Sequence, residues 1–129
     1  GACHLEIPLV QRAFDALPPT PWDFLFLENV GNLVCPASHD LGEHLRVVLL
    51  SVTEGDDKPA KYPKMFRTSR AFVVTKTDLA PYVGADLAVM AADTRRMRPT
   101  KPFVMTNLRT RDGLDEVVRF IETRGLLTA

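Results

Sequence analysis

The sequence predicts an α/β fold, a mainly parallel sheet flanked by helices. Two observations carry that prediction, and their order supplies a third. Four short runs, at residues 23–28, 46–52, 71–75 and 102–106, are rich in Val, Leu or Phe and lack polar alternation. That is the pattern of parallel strands covered on both faces. Segments with apolar residues at helical spacing lie beside them, and strands interleaved with helices imply a layered parallel sheet.

Residues 7–17 carry Ile7, Val10, Phe14 and Leu17 on one helical stripe, with Pro8 near the start and Pro18-Pro19 as the stop. The first strand follows, over Phe24-Leu25-Phe26-Leu27, and ends in Glu28, Asn29 and Gly31. Residues 46–52 form the second strand. Residues 53–70 are polar and proline-bearing, and read as a functional loop with a short helix. Within them, residues 53–59 are dense in charge, as a switch or interface loop would be, and as a plain turn would be too. The third strand precedes a helix over 85–97, marked by Leu87, Met90 and Met97. The fourth precedes a helix over 113–124, marked by Leu114, Val117, Val118 and Ile121, with Gly125 as its cap. Ligands of such sheets collect at the carboxyl ends of the strands, so residues 28–35, 75–78 and 106–108 are where chemistry is expected.

At 129 residues the chain is expected to form a single domain. Sixteen basic residues balance sixteen acidic ones. No basic excess points to nucleic acid, and no basic block points to a membrane surface. The apolar runs fall far short of the roughly 20 residues of a membrane-spanning helix. The N-terminus is polar, carries Glu6 and does not read as a signal peptide, so a cytoplasmic location is expected. The two cysteines read as reduced thiols, either buried or ligating. The opening Gly1-Ala2-Cys3-His4, without a start methionine, reads as a chain cut from something longer.

Lys76 and Asp78, two apart at a strand exit, have the chemistry to recognise guanine. The lysine stem packs along the base, and the carboxylate accepts from the ring N–H and the exocyclic amine. A solvated turn in which Asp78 caps a short helix explains the same spacing. At Thr106-Asn107-Leu108 a backbone N–H can meet the guanine carbonyl oxygen. Cys3, His4 and Cys35 suit Zn2+ or Ni2+, one ligand short of a closed tetrahedral site. Two core cysteines and a surface histidine explain the same residues. His39 and His44 are auxiliary candidates by proximity in sequence, though each also reads as a surface residue. Met65, Met90, Met97 and Met105 read as core fillers, and Arg95, Arg96 and Arg98 as a solvated helix face.

In order, "CHL", "ENVGNLVCPA", "DLGE", "LLSVTEGDDKPAKYPKMF" and "TKTDLAPYV" resemble the HypB family. These are the GTPases that deliver nickel during maturation of nickel–iron hydrogenases. The tail, "APYVGADLAVMAADTRRMRPTKPFVMTNLRTRDGLDEV", is similar to UreG, the urease-maturation GTPase of the same P-loop (SIMIBI-type) class. UreG typically has Cys-Pro-His at the metal position and Ser-Gly-Gly after its acidic residue. Adjacent Cys3-His4, and Asn29-Val30-Gly31 after Glu28, look like HypB.

The resemblance implies that Cys3, His4 and Cys35 bind Ni2+ or Zn2+ at a homodimer interface. It implies that Glu28, Asn29 and Gly31 form the catalytic switch sensing the γ-phosphate of GTP and Mg2+, and that Lys76 and Asp78 read guanine. Asn107, at the neighbouring strand exit, is expected as a further nucleotide-binding residue. The implied partners are a HypA-type maturation protein and the hydrogenase large subunit. The family's guanine motif usually begins with Asn where this chain has Thr75, His39 stands where an aromatic residue is common, and Pro8 where a polar residue is frequent. No G-x-x-x-x-G-K-[ST] run occurs in the sequence. In the family that phosphate loop lies upstream, which implies a partial GTPase domain over residues 1–129, unable to hydrolyse GTP alone. A urease-maturation GTPase and a non-catalytic metal-binding or dimerisation module are the alternatives.

Overall fold

The structure, a computed structural model, describes residues 5–29, 31 and 40–126, the last two by backbone alone. The chain divides into two compact units, Gly1–His44 and Leu45–Ala129.

The second unit is built around β2 (Ala71–Thr75), whose first four residues are all buried. It pairs in parallel with β1 (Val47–Ser51) on one side and β3 (Phe103–Met105) on the other, giving the order β1-β2-β3. The register sets Ser51 beside Thr75 and Val74 beside Met105. All three strands therefore leave the sheet at one edge. Three of the four predicted strands are present, each within its expected span.

Residues 53–70 are more ordered than a loop. A 3-10 turn (Val52–Glu54) leads to α2 (Lys58–Lys61) and α3 (Pro63–Thr68). Pro59 and Pro63 stand in the first turns of these helices, where a missing N–H costs nothing. Beyond β2 come α4 (Ala80–Val83) and α5 (Leu87–Met97), and beyond β3 comes α6 (Leu114–Leu126). The last runs through Gly125 rather than being capped by it. A helical glycine costs only about 1 kcal/mol relative to alanine, which does not force an end.

Leu50, Val52, Phe66, Phe72, Val74 and Met90 are fully buried, and the Phe66 and Phe72 rings lie 4.1 Å apart. Each such side chain contributes about 1.5–3 kcal/mol by leaving water. Met65 and Met90 are in this core, while Met97 and Met105 are half-buried.

Arg98 corrects the reading of a solvated arginine face. Arg95 and Arg96 are exposed, but Arg98 is only 2% exposed. It stands one residue past α5 with φ −133° and ψ 61°, off the helical path, so it is not bound to the helix's outer face. Its Nη1 donates to Ser69 O (2.8 Å), Ser69 Oγ (2.7 Å) and Phe66 O; its Nη2 donates to Arg70 O (2.9 Å) and Pro102 O (3.1 Å). One guanidinium thus ties together the backbone that feeds β2 and β3.

In the first unit, α1 (Ile7–Asp15) stops two residues short of its expected end and buries none of its residues. Residues 23–28 are a second correction, since no strand forms there. A strand exists only through a ladder partner, and among the described residues this segment has none. Leu25, Phe26 and Leu27 stay 54%, 77% and 43% exposed.

Candidate nucleotide site

The carboxyl edge of β2 and β3 is laced by main-chain and threonine bonds. Thr106 donates its N–H (2.7 Å) and its Oγ1 (2.8 Å) to Val74 O, and Thr77 N–H donates to Thr106 O (3.2 Å). At Lys76 the chain turns through φ 60° and ψ 40°, a left-handed conformation uncommon outside glycine. That reversal throws the chain into the 3-10 turn Thr77–Leu79, with Asp78 in its middle.

Asp78 is exposed and makes no hydrogen bond or ion pair among the described residues. It does not cap: the turn starts at Lys76 without a side-chain cap, and Asp78 lies inside it. The capping part of the alternative reading is not seen, while the exposed turn is the solvated turn which that reading describes. Thr75 Oγ1 reaches Leu50 O at 3.5 Å, joining the exits of β2 and β1.

Asn107 stands at the neighbouring exit. Its side-chain Oδ1 accepts from Arg109 N–H (3.2 Å), and its own N–H donates to Asp112 O (3.0 Å). The N–H groups of Thr106 and Asn107 are therefore already engaged, which leaves Leu108 to supply any donor from this trio. The return into α6 passes Gly113 at φ +82°, where an added Cβ would meet Met105 O and Thr106 Cγ2, each at 2.9 Å. Only glycine fits there.

Beside Asp78, on the side of α4 and α5, lies an open depression of about 510 Å³ whose lining includes Thr77, Asp78, Pro81, Gly84 and Asp86. Sequence reasoning missed Asp86, although an aspartate just before an apolar helical stripe is a capping signal. Its carboxylate accepts from Ala88 N–H (2.9 Å) and Val89 N–H (3.2 Å) at the start of α5. In the loop after β1, the Lys58 ammonium, 3.2 Å away, holds the exposed Asp57 carboxyl below the usual carboxylate range.

The other predicted residues belong to the first unit. Glu28 and Gly31 are exposed, and Asn29 Oδ1 accepts from Leu5 N–H (3.0 Å). Cys3, His4, Cys35 and His39 lie outside the described residues. His44 is exposed, and no cluster of three potential metal ligands occurs among the described residues.

The match to the CobW/HypB/UreG nucleotide-binding domain spans residues 1–105. The chain belongs to the CobW/HypB/UreG family. It is 47% identical over 120 residues to a probable hydrogenase maturation factor HypB of Methanocaldococcus jannaschii, covering 93% of this chain and 54% of that one. A hydrogenase/urease maturation factor HypB of Helicobacter hepaticus is 42% identical over 127 residues, covering 95% and 52%. The crystal structure of HypB from Helicobacter pylori in complex with nickel superimposes with a TM-score of 0.84 at 37% identity, covering 95% of this chain and 59% of that one. The HypB-like parallel sheet flanked by helices is thus the fold of this chain, which spans about half the length of the curated relatives it matches.

Proposed function

We propose that this chain is the guanine-reading and metal-carrying part of a HypB-type GTPase that delivers nickel, as cargo, for hydrogenase maturation. The observation that carries the reading is Asp78, an exposed carboxylate with no partner among the described residues, on a turn set by left-handed Lys76 at the strand exit. A carboxylate in that state is open to two charge-assisted bonds from the guanine ring N–H and exocyclic amine, and adenine has no such pair. Lys76 lays its stem along the base.

GTP and Mg2+ supply the γ-phosphate signal that residues 28–31 sense. Asn29 grips the backbone of Leu5, the residue after Cys3-His4, so a shift at residues 28–31 is transmitted toward the metal pair. Cys3, His4 and Cys35 hold Ni2+, or Zn2+ in its place, with a second copy completing the site as a homodimer. A HypA-type protein and the hydrogenase large subunit are the partners, in the cytoplasm. No helix among the described residues is long and apolar enough to cross a membrane.

Urease maturation is the second reading, favoured by the Helicobacter hepaticus relative that carries both names. Equilibrium dialysis against nickel tests the metal half. Binding should be lost in Cys3→Ala and in Cys35→Ala and be retained in Asp78→Asn. Nickel binding that survives both cysteine changes refutes the assignment.

A further inference from the structure

The loop after β1 is built stiffly for a loop. Ser51 and Glu54 close a capping box, with Thr53 N–H donating to Ser51 Oγ (3.3 Å) and Ser51 N–H donating to Glu54 Oε2 (3.2 Å). Gly55 then turns at φ +111°, and its N–H returns to Val52 O (3.1 Å). This delivers half-buried Asp56 toward a segment thirty residues further along the chain. Asp56 Oδ2 accepts from Asp86 N–H at 2.8 Å.

Asp86 is therefore held twice, by its N–H on Asp56 and by its carboxylate on the first amides of α5. Residues 84–86, between α4 and α5, have few other anchors: Gly84 is left-handed at φ +68°, and Ala85 N–H bonds back to Ala80 O (3.1 Å). The same residues wall the depression that Asp78 and Thr77 face. Without Asp56, the charge-assisted bond that fixes this wall is gone, while the α5 cap and the sheet remain.

We infer that Asp56 is a positioning residue for guanine recognition: it fastens the wall that shares a depression with Asp78 to the loop after β1, so that base binding at β2 and the state of that loop depend on each other. This rests on the guanine reading of Asp78 and adds to it a second strand exit. The loop at β1 is neither predicted to touch the base nor required to.

The test is guanosine binding to the 129-residue chain, followed by backbone amide shifts in two-dimensional NMR at a temperature where every variant is folded. In the unaltered chain, guanosine should shift Thr77 and Asp78, and also Gly55, Asp56 and Asp86; adenosine should not. Asp56→Ala should weaken guanosine binding about fivefold, the value of one ordinary hydrogen bond, and confine the shifts to Thr77 and Asp78. Asp56→Asn, which keeps an acceptor oxygen, should restore both affinity and the spread of shifts. A purely structural role predicts lower thermal stability with unchanged affinity. If Asp56→Ala binds guanosine as the unaltered chain does, with shifts still reaching Gly55, the inference fails alone. If guanosine shifts nothing in the unaltered chain, the guanine reading fails and takes the inference with it.

Discussion

A guanidinium whose two amino groups are spent on main-chain oxygens is hard to replace. Arg98 serves carbonyls at Phe66, Ser69, Arg70 and Pro102, and burial lowers its pKa from the ordinary value. Arginine nevertheless keeps its charge in proteins, and its planar fork can serve several acceptors at once. Lysine has the charge without the fork, and methionine has neither. Arg98→Met leaves these carbonyls without their donor inside the fold, at roughly 1–3 kcal/mol for each that stays buried. A loss of about 3 kcal/mol is expected for Arg98→Met, and most of it for Arg98→Lys. Urea unfolding reads this as a lower midpoint with an unchanged slope. A loss below about 1 kcal/mol in both variants would mean that water replaces the guanidinium without penalty.

The junction between β3 and α6 depends on a single glycine in the same way. Gly113→Ala must place a Cβ 2.9 Å from Met105 O while keeping φ +82°. The strained backbone and the clash together should cost about 2 kcal/mol or more, measured by thermal or urea unfolding. A neutral Gly113→Ala would show that the turn relaxes freely. Elements were legible in the sequence where local pattern and tertiary pairing agree. β2 read correctly because its unbroken apolar run is covered on both faces. Its neighbours did because their apolar runs find a ladder partner in it, although β1 leaves Leu49 60% exposed and β3 is half-buried. The run at residues 23–28 has the same composition, but composition cannot report whether a ladder partner lies alongside. The ends of α1 and α6 were blurred for a related reason: Pro18 and Gly125 mark where a helix is allowed to stop, and hydrogen bonds decide where it does. Arg98 was illegible because its sequence neighbours Arg95 and Arg96 do face solvent, and only the departure of the backbone after Met97 separates it from them. Lys76 and Asp78 were legible because their spacing after a strand fixes their place at the sheet edge. Asp56 and Asp86, thirty residues apart, were not.

At the scale of the whole molecule, the sheet gathers three strand exits at one edge, and two of them carry the residues proposed to read guanine. The 129 residues include no G-x-x-x-x-G-K-[ST] phosphate loop, the element whose backbone and lysine cradle the β- and γ-phosphates in P-loop GTPases. Purified alone, the chain should show no GTP turnover above buffer; robust hydrolysis would place the phosphate machinery somewhere unrecognised. The central claim is that Asp78 reads guanine. It is tested most directly with nucleosides, which need no phosphate loop, by measuring guanosine and xanthosine binding to the unaltered chain and to Asp78→Asn. Xanthine has a carbonyl where guanine has its exocyclic amine, so an amide at position 78 gains a donor–acceptor match that the carboxylate lacks. The unaltered chain should prefer guanosine, and Asp78→Asn should reverse that preference, losing about tenfold or more for guanosine. An unchanged preference for guanosine in Asp78→Asn would reduce Asp78 to a surface turn residue and contradict the claim.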